Sequence, residues 1–164
     1  MGDLVKELGI NRASMYDTYG DKRDLFLASL KKYQQMKMSI AQDKMDEGMT
    51  PLTLIKHFVY QMIDEKGEHI TKGCFMRNSI VELCNYDPEV DKLARETAMT
   101  MQEKMTMMVE IGQDMGELTK KASASDLSAY IYTAVSGLCI TTMYQKDPKQ
   151  LNRIADTLIA TISA

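Results

Sequence analysis

Proline is scarce in this 164-residue chain, and each of its three prolines stands where a helix begins. Thr50-Pro51, Asp87-Pro88 and Asp147-Pro148 each pair a capping residue with proline at the first helical position, where its missing N–H costs nothing. No stretch alternates apolar and polar residues with the β-branched content of a strand, which excludes a sheet protein. No run of about 18 apolar residues occurs, so no membrane-spanning helix is expected. No basic-then-apolar leader opens the chain, so no secretory signal is expected either. Cysteines number only three (Cys74, Cys84 and Cys139), odd in count and without metal-ligand spacing. Free buried thiols are expected, with a Cys74–Cys84 redox pair as the alternative. His57 and His69 form no His-x-x-x-His pair, and no phosphate loop or nucleophile turn is present. No catalytic residue, metal or cofactor is therefore expected, and the chain is not read as an enzyme.

What remains is a chain of ordinary soluble composition, 45% hydrophobic and 26% charged, with a net charge of −3. Helical spacing recurs along it. A long helix runs from Asp21 to about Met45, with Phe26, Leu30, Tyr33 and Ile40 on one side. A second runs from Pro51 to Glu65, with Leu52, Ile55, Val59 and Met62 aligned, and ends at Gly67. A shorter one spans Cys74 to Leu83. Another runs from Pro88 to about Gly112, with Val90, Met101, Met105 and Met108 on a shared side. Ser125 caps a helix to about Tyr144, and Asp147 caps the last, with Leu151, Ile154, Leu158 and Ile162 as its apolar row. The fold class is all-α.

The first thirty-odd residues carry the densest information. Leu4, Val5 and Leu8 share a helical face, and Gly9 can adopt the left-handed backbone that ends a helix. Ile10 plugs the gap, and Asn11 caps a second short helix over about Arg12 to Tyr16. Arg12, Ala13, Ser14 and Asp17 face outward there, and Met15 faces inward. Tyr16 and Tyr19 each offer a ring for packing and a hydroxyl for a phosphate. Gly20-Asp21 breaks and restarts the helix, and Lys22 sits in the new first turn, where free N–H groups favour an anion. Short helix, tight turn, second short helix and the start of a third is the layout of a helix-turn-helix DNA reader.

The stretch GINRASMYDTYGDKRDLF resembles the helix-turn-helix signature of the TetR/AcrR family of bacterial transcriptional regulators. Leu4, Val5, Leu8-Gly9-Ile10, Ser14, Tyr16, Tyr19, Lys22 and Leu25-Phe26 carry the match. The resemblance implies that Arg12, Ala13, Ser14 and Asp17 read base edges in the major groove, with Arg12 suited to guanine. Tyr16, Tyr19 and Lys22 would then hold backbone phosphates. Such regulators carry a further basic helix ahead of this one, and the chain opens inside the second helix. DNA affinity is expected to be reduced or lost unless that first helix is supplied. Residues 1–33 hold six basic and five acidic side chains, a weak balance for a DNA footprint.

GQDMGEL before a helix, SGLCI within it, and DPKQL before a final helix resemble the same family's C-terminal body. The implied organisation is an incomplete helix-turn-helix domain over residues 1–33, joined by the long helix to a ligand-binding and dimerisation domain over 34–164. The last two helices would pair two subunits into a homodimer, with Ala134, Ser136 and Gly137 allowing close approach. Fifteen methionines, six of them from Met99 to Met115, either fill a core or line an adaptable pocket. The resemblance implies a pocket for a small apolar effector, lined by His57, Tyr60, Phe75, Asn78, Met105 and Met108. The function so implied is a ligand-responsive transcriptional regulator, a cytoplasmic repressor of operator DNA. The alternative is a dimeric small-molecule-binding helical protein that does not bind DNA.

Overall fold

The computed structural model describes residues 2–9, 11–63 and 73–164, and among these it holds eight helices. They are α1 (Gly2–Leu8), α2 (Arg12–Tyr19), α3 (Lys22–Asp46), α4 (Pro51–Gln61), α5 (Phe75–Leu83), α6 (Pro88–Asp114), α7 (Ala124–Tyr144) and α8 (Pro148–Ile162). The all-α expectation holds.

Local chemistry explains most of the boundaries. Asp21 and Asp24 form a reciprocal capping box at the start of α3. Asp87 accepts the amides of Glu89 and Val90 at the start of α6, and Asp147 accepts that of Lys149 at the start of α8. Thr50 behaves differently. Its side chain makes no capping bond and instead meets the Thr53 hydroxyl at 3.0 Å. The free amide of Leu52 is taken by the Glu117 carboxylate at 3.2 Å, from the α6–α7 turn. The cap of α7 is Ser123, not Ser125: its hydroxyl accepts the Asp126 amide and donates to the Asp126 carboxylate at 2.6 Å. Helix α4 ends at Gln61, short of Glu65; Glu65 and Gly67 lie outside the described residues.

Two apolar cores organise the body. The larger joins α4, α6, α7 and α8 through Leu54, Val59, Val109, Leu118, Ile131, Ala155 and Ile162, all almost fully buried. The smaller joins α3, α5 and α6 through Leu30, Met76 and Leu93, ringed by Phe26, Tyr33, Phe75 and Ile80. The burial pattern corrects the α8 row and keeps the expected α6 side, where Val90 is buried too. In α8 the buried series is Leu151, Ala155, Leu158, Ile159 and Ile162, and Ile154 is exposed. In α6 the methionines divide: Met108 is buried, Met101 and Met105 are half-buried, and Met99, Met107 and Met115 are exposed.

Gly112 is not the break that its position beside Gly116 suggests. It lies buried within α6, where a Cβ would stand 2.6 Å from Leu118 and 3.1 Å from Pro51. Gly116, at φ +72°, ends the helix. Leu118 and Ser163 form an isolated antiparallel bridge just beyond, so the α6–α7 turn lies against the end of α8.

Candidate functional site

The segment from α1 to the first turn of α3, the head in the proposed division, is built from short signals. Gly9 (φ +63°) turns the chain out of α1, and the Asn11 side chain accepts the Ser14 amide at 2.8 Å. Gly20 (φ +77°) ends α2, and its amide returns to the Tyr16 carbonyl. Met15 is fully buried and fixes which face of α2 turns inward, towards α3. Arg12, Ala13, Ser14 and Asp17 are then all exposed, and so are Tyr16, Tyr19 and Lys22. The Arg12 guanidinium lies 5.9 Å from the centre of the Tyr16 ring, so a base-reading candidate and a phosphate-holding candidate sit side by side. Ile10 lies outside the described residues, as does the Leu8 side chain.

The starts of α3 and α6 meet through an ion pair. Arg23, in the first turn of α3, donates through Nε and Nη2 to both carboxylate oxygens of Asp87, at 2.8 and 2.7 Å. This fork reaches the residue that also caps α6. The guanidinium holds the Asp87 carboxyl well below its ordinary range, at about 2.

Four of the six effector-lining candidates divide between the two cores. Tyr60, Met105 and Met108 belong to the large core. The Tyr60 hydroxyl donates to Asp156 of α8, which raises the phenol pKa and turns this side chain to the α4–α8 seam. Phe75 belongs to the small core, edge-on to Phe26 and Tyr33 with ring centres 5.6 and 5.7 Å away. Asn78 lies beside Gly73 at the entrance to α5. His57 packs edge-on to Phe58, and its Nε2 is buried with no hydrogen-bond partner. A shallow surface depression lined by Gly116, Leu118, Lys120 and Ala164 contains none of the six.

A further cluster had no counterpart among the sequence candidates. Arg77 of α5 stacks on the ring of Tyr132 of α7 at 5.8 Å, and the Tyr33 hydroxyl meets the Cys74 sulfur at 3.5 Å. All three cysteines are free. Cys74 and Cys84 cap opposite ends of α5, about 15 Å apart at the rise of a helix, which no disulfide spans. Cys84 instead donates to Asp91 at 3.0 Å. Only Cys139 is fully buried.

Residues 51–158 match the family described as "Tetracyclin repressor-like, C-terminal domain", which covers α4 through most of α8. The chain belongs to the TetR family of transcriptional regulators. It is 26% identical over 162 residues to the uncharacterized HTH-type transcriptional regulator YezE of Bacillus subtilis strain 168, spanning 98% of this chain and 82% of that protein. A TetR-family regulator from Cytophaga hutchinsonii shares the fold at a TM-score of 0.84 and 15% identity, over 100% of this chain and 84% of its own. One from Agrobacterium tumefaciens does so at 0.81 and 18%, over 99% and 86%. No described helix is long and apolar enough to cross a membrane.

Proposed function

We propose that this regulator is a ligand-responsive repressor that holds operator DNA as a homodimer and releases it when an effector enters the body. One observation carries the reading: α3 is a single unbroken helix shared by head and body. Its first turn is forked onto Asp87, and its middle is locked by Leu30 into the α5–α6 core. A shift of that core moves α3, and α2 rides on α3. In a dimer the two heads would then leave half-sites spaced about 34–36 Å apart. The domain division at residues 33 and 34 thus falls inside a helix, which is what a lever between domains requires.

Within this reading Arg12, Ala13, Ser14 and Asp17 face the bases, and Tyr16, Tyr19 and Lys22 hold phosphates. The orphaned Nε2 of His57 supports an effector with a polar group, because a buried unpaired nitrogen costs about 1–3 kcal/mol until something meets it. Tyr60, Phe75, Asn78, Met105 and Met108 remain its proposed neighbours. The homodimer would pair α7 and α8, where Tyr130, Ile140, Met143 and Tyr144 are exposed. The near-balanced charge of residues 1–33 supports the second reading, a dimeric effector-binding protein that does not hold DNA.

Fluorescence anisotropy of the full-length protein on duplexes from its own upstream region separates the two. As a repressor, Lys22→Gln weakens binding to every duplex and lowers the salt slope by about one. Arg12→Gln costs roughly 1–3 kcal/mol on the preferred duplex alone. Binding that neither substitution changes would refute the assignment of α2 and the first turn of α3.

A further inference from the structure

The Arg77 guanidinium, like His57, holds a buried nitrogen without a hydrogen-bond partner, and unlike His57 it carries a permanent charge. It is half-buried, its Nε is fully buried with no hydrogen-bond partner, and no described carboxylate lies within ion-pair distance of it. Arg23 and Arg95, by contrast, hold the carboxylates of Asp87 and Asp91 at 2.7 and 2.9 Å. The stack on Tyr132 offsets part of the charge burial, but an aromatic face does not accept an N–H lying in the guanidinium plane. Arginine cannot escape by losing its proton, so among the described residues its charge lacks an anion.

What surrounds Arg77 narrows the kind of anion. Cys74, Cys139 and Tyr33 are its polar neighbours, and none carries a fixed charge. Burial raises the Tyr33 phenol, which therefore stays protonated and able to donate. Its bond to the Cys74 sulfur, at 3.5 Å, is weak enough to exchange for an oxygen. Burial works to raise the Cys74 thiol as well. The Arg77 amide, the Tyr33 hydroxyl and the Arg77 guanidinium outweigh that, and the thiol sits below its ordinary range. Burial raises the Cys139 thiol, so of the three only Cys74 is eased towards its charged form. Beyond Tyr33 stand the half-buried, edge-on rings of Phe75 and Phe26 at the rim of the small core.

We propose that Arg77 anchors a small organic monocarboxylate, with Tyr33 donating the second hydrogen bond and the apolar body of the acid lying along Phe75 and Phe26. The guanidinium fork presents two N–H groups to two carboxylate oxygens, whereas a phosphate dianion would need more donors than this apolar corner supplies. The site lies where α3, α5 and α7 meet, so its occupant presses on the helix that carries the head. The assignment rests on the effector reading above and gives that effector its chemical class.

Calorimetric titration of the full-length protein with phenylacetate and octanoate, each beside its neutral amide, tests it. At least one acid binds saturably and at least ten-fold more tightly than its amide. Arg77→Gln brings the acid down to the amide's affinity, while Arg77→Lys keeps part of the preference. Equal affinity for acid and amide in the unaltered protein overturns the carboxylate assignment and leaves the effector reading standing. An undiminished acid preference in Arg77→Gln overturns Arg77 as the anchor. Failure of all four compounds to bind counts against both readings. The acid–amide comparison needs no variant, so a folding defect in Arg77→Gln, followed by circular dichroism, does not shield the proposal.

Discussion

Gly112→Ala sets two opposing effects of known size against each other. Alanine in place of glycine inside a helix gains about 1 kcal/mol of intrinsic propensity, so on α6 alone the change stabilises. The structure reverses the sign. The new methyl would stand 2.6 and 2.9 Å from Leu118 Cδ1 and Cγ and 3.1 Å from Pro51 Cβ, all well inside contact distance. Neither neighbour can yield. Leu118 is 1% exposed, and Pro51 is a buried ring at the start of α4. Overpacking of this kind costs about 1–3 kcal/mol and, with three simultaneous overlaps, lies towards the upper end. The net expectation is a destabilisation of about 1–2 kcal/mol, seen as a Tm lower by about 3–6 °C at fixed protein concentration. Leu118→Ala removes two of the three overlaps, so in that background Gly112→Ala becomes neutral or stabilising. A Tm that rises in the single variant, or a double variant that shows no reversal, would refute this account of the α4–α6 contact.

Two further outcomes follow from features already described. Around Gly137 an added Cβ meets nothing within 4 Å in its own subunit, so Gly137→Leu leaves the fold intact. In the proposed dimer it blocks close approach of α7 to its partner, and sedimentation equilibrium then shows monomers; an unchanged dimer would move the interface elsewhere. Asp87 is held at about 2 against an ordinary 3.8, so its contribution is complete above pH 4 and is lost as pH falls towards 2. Acid unfolding followed by circular dichroism should lose less between pH 4 and 2 in Arg23→Gln than in the unaltered protein, and parallel curves would show that Arg23 does not hold the carboxyl.

Local signals were legible wherever one residue decides the matter alone. Asp21, Asp87 and Asp147 cap the helices that their positions announce, and Met15 faces inward as its spacing requires. The TetR family could be read from the spacing of the head residues and is supported by the match over the body. Failures came where a distant partner decides. Thr50 looks like a cap but spends its hydroxyl on Thr53, and the true cap sits 65 residues away. Ser123 is a local exception: it outcompetes Ser125 because Asp126 stands three residues on to answer it. Tyr60 turns to Asp156, 96 residues along the chain, which no periodicity reveals. Arg77 gave one faint hint as the first charged residue after Gly73 in GCFMRNSIV, but its missing acceptor is a property of three helices packed together.

The carboxylate of Glu117 on the Leu52 amide makes α4 a dependent helix. A segment that satisfies its own first turn can fold on its own and wait for its neighbours. This one cannot, because its starting amide is met only after the chain has travelled through α5 and α6 and come back. Cutting the body into hairpins would therefore not yield separable pieces. The start of α4 and the α6–α7 turn are thereby joined, and His57 lies a turn and a half further along α4 from that joint.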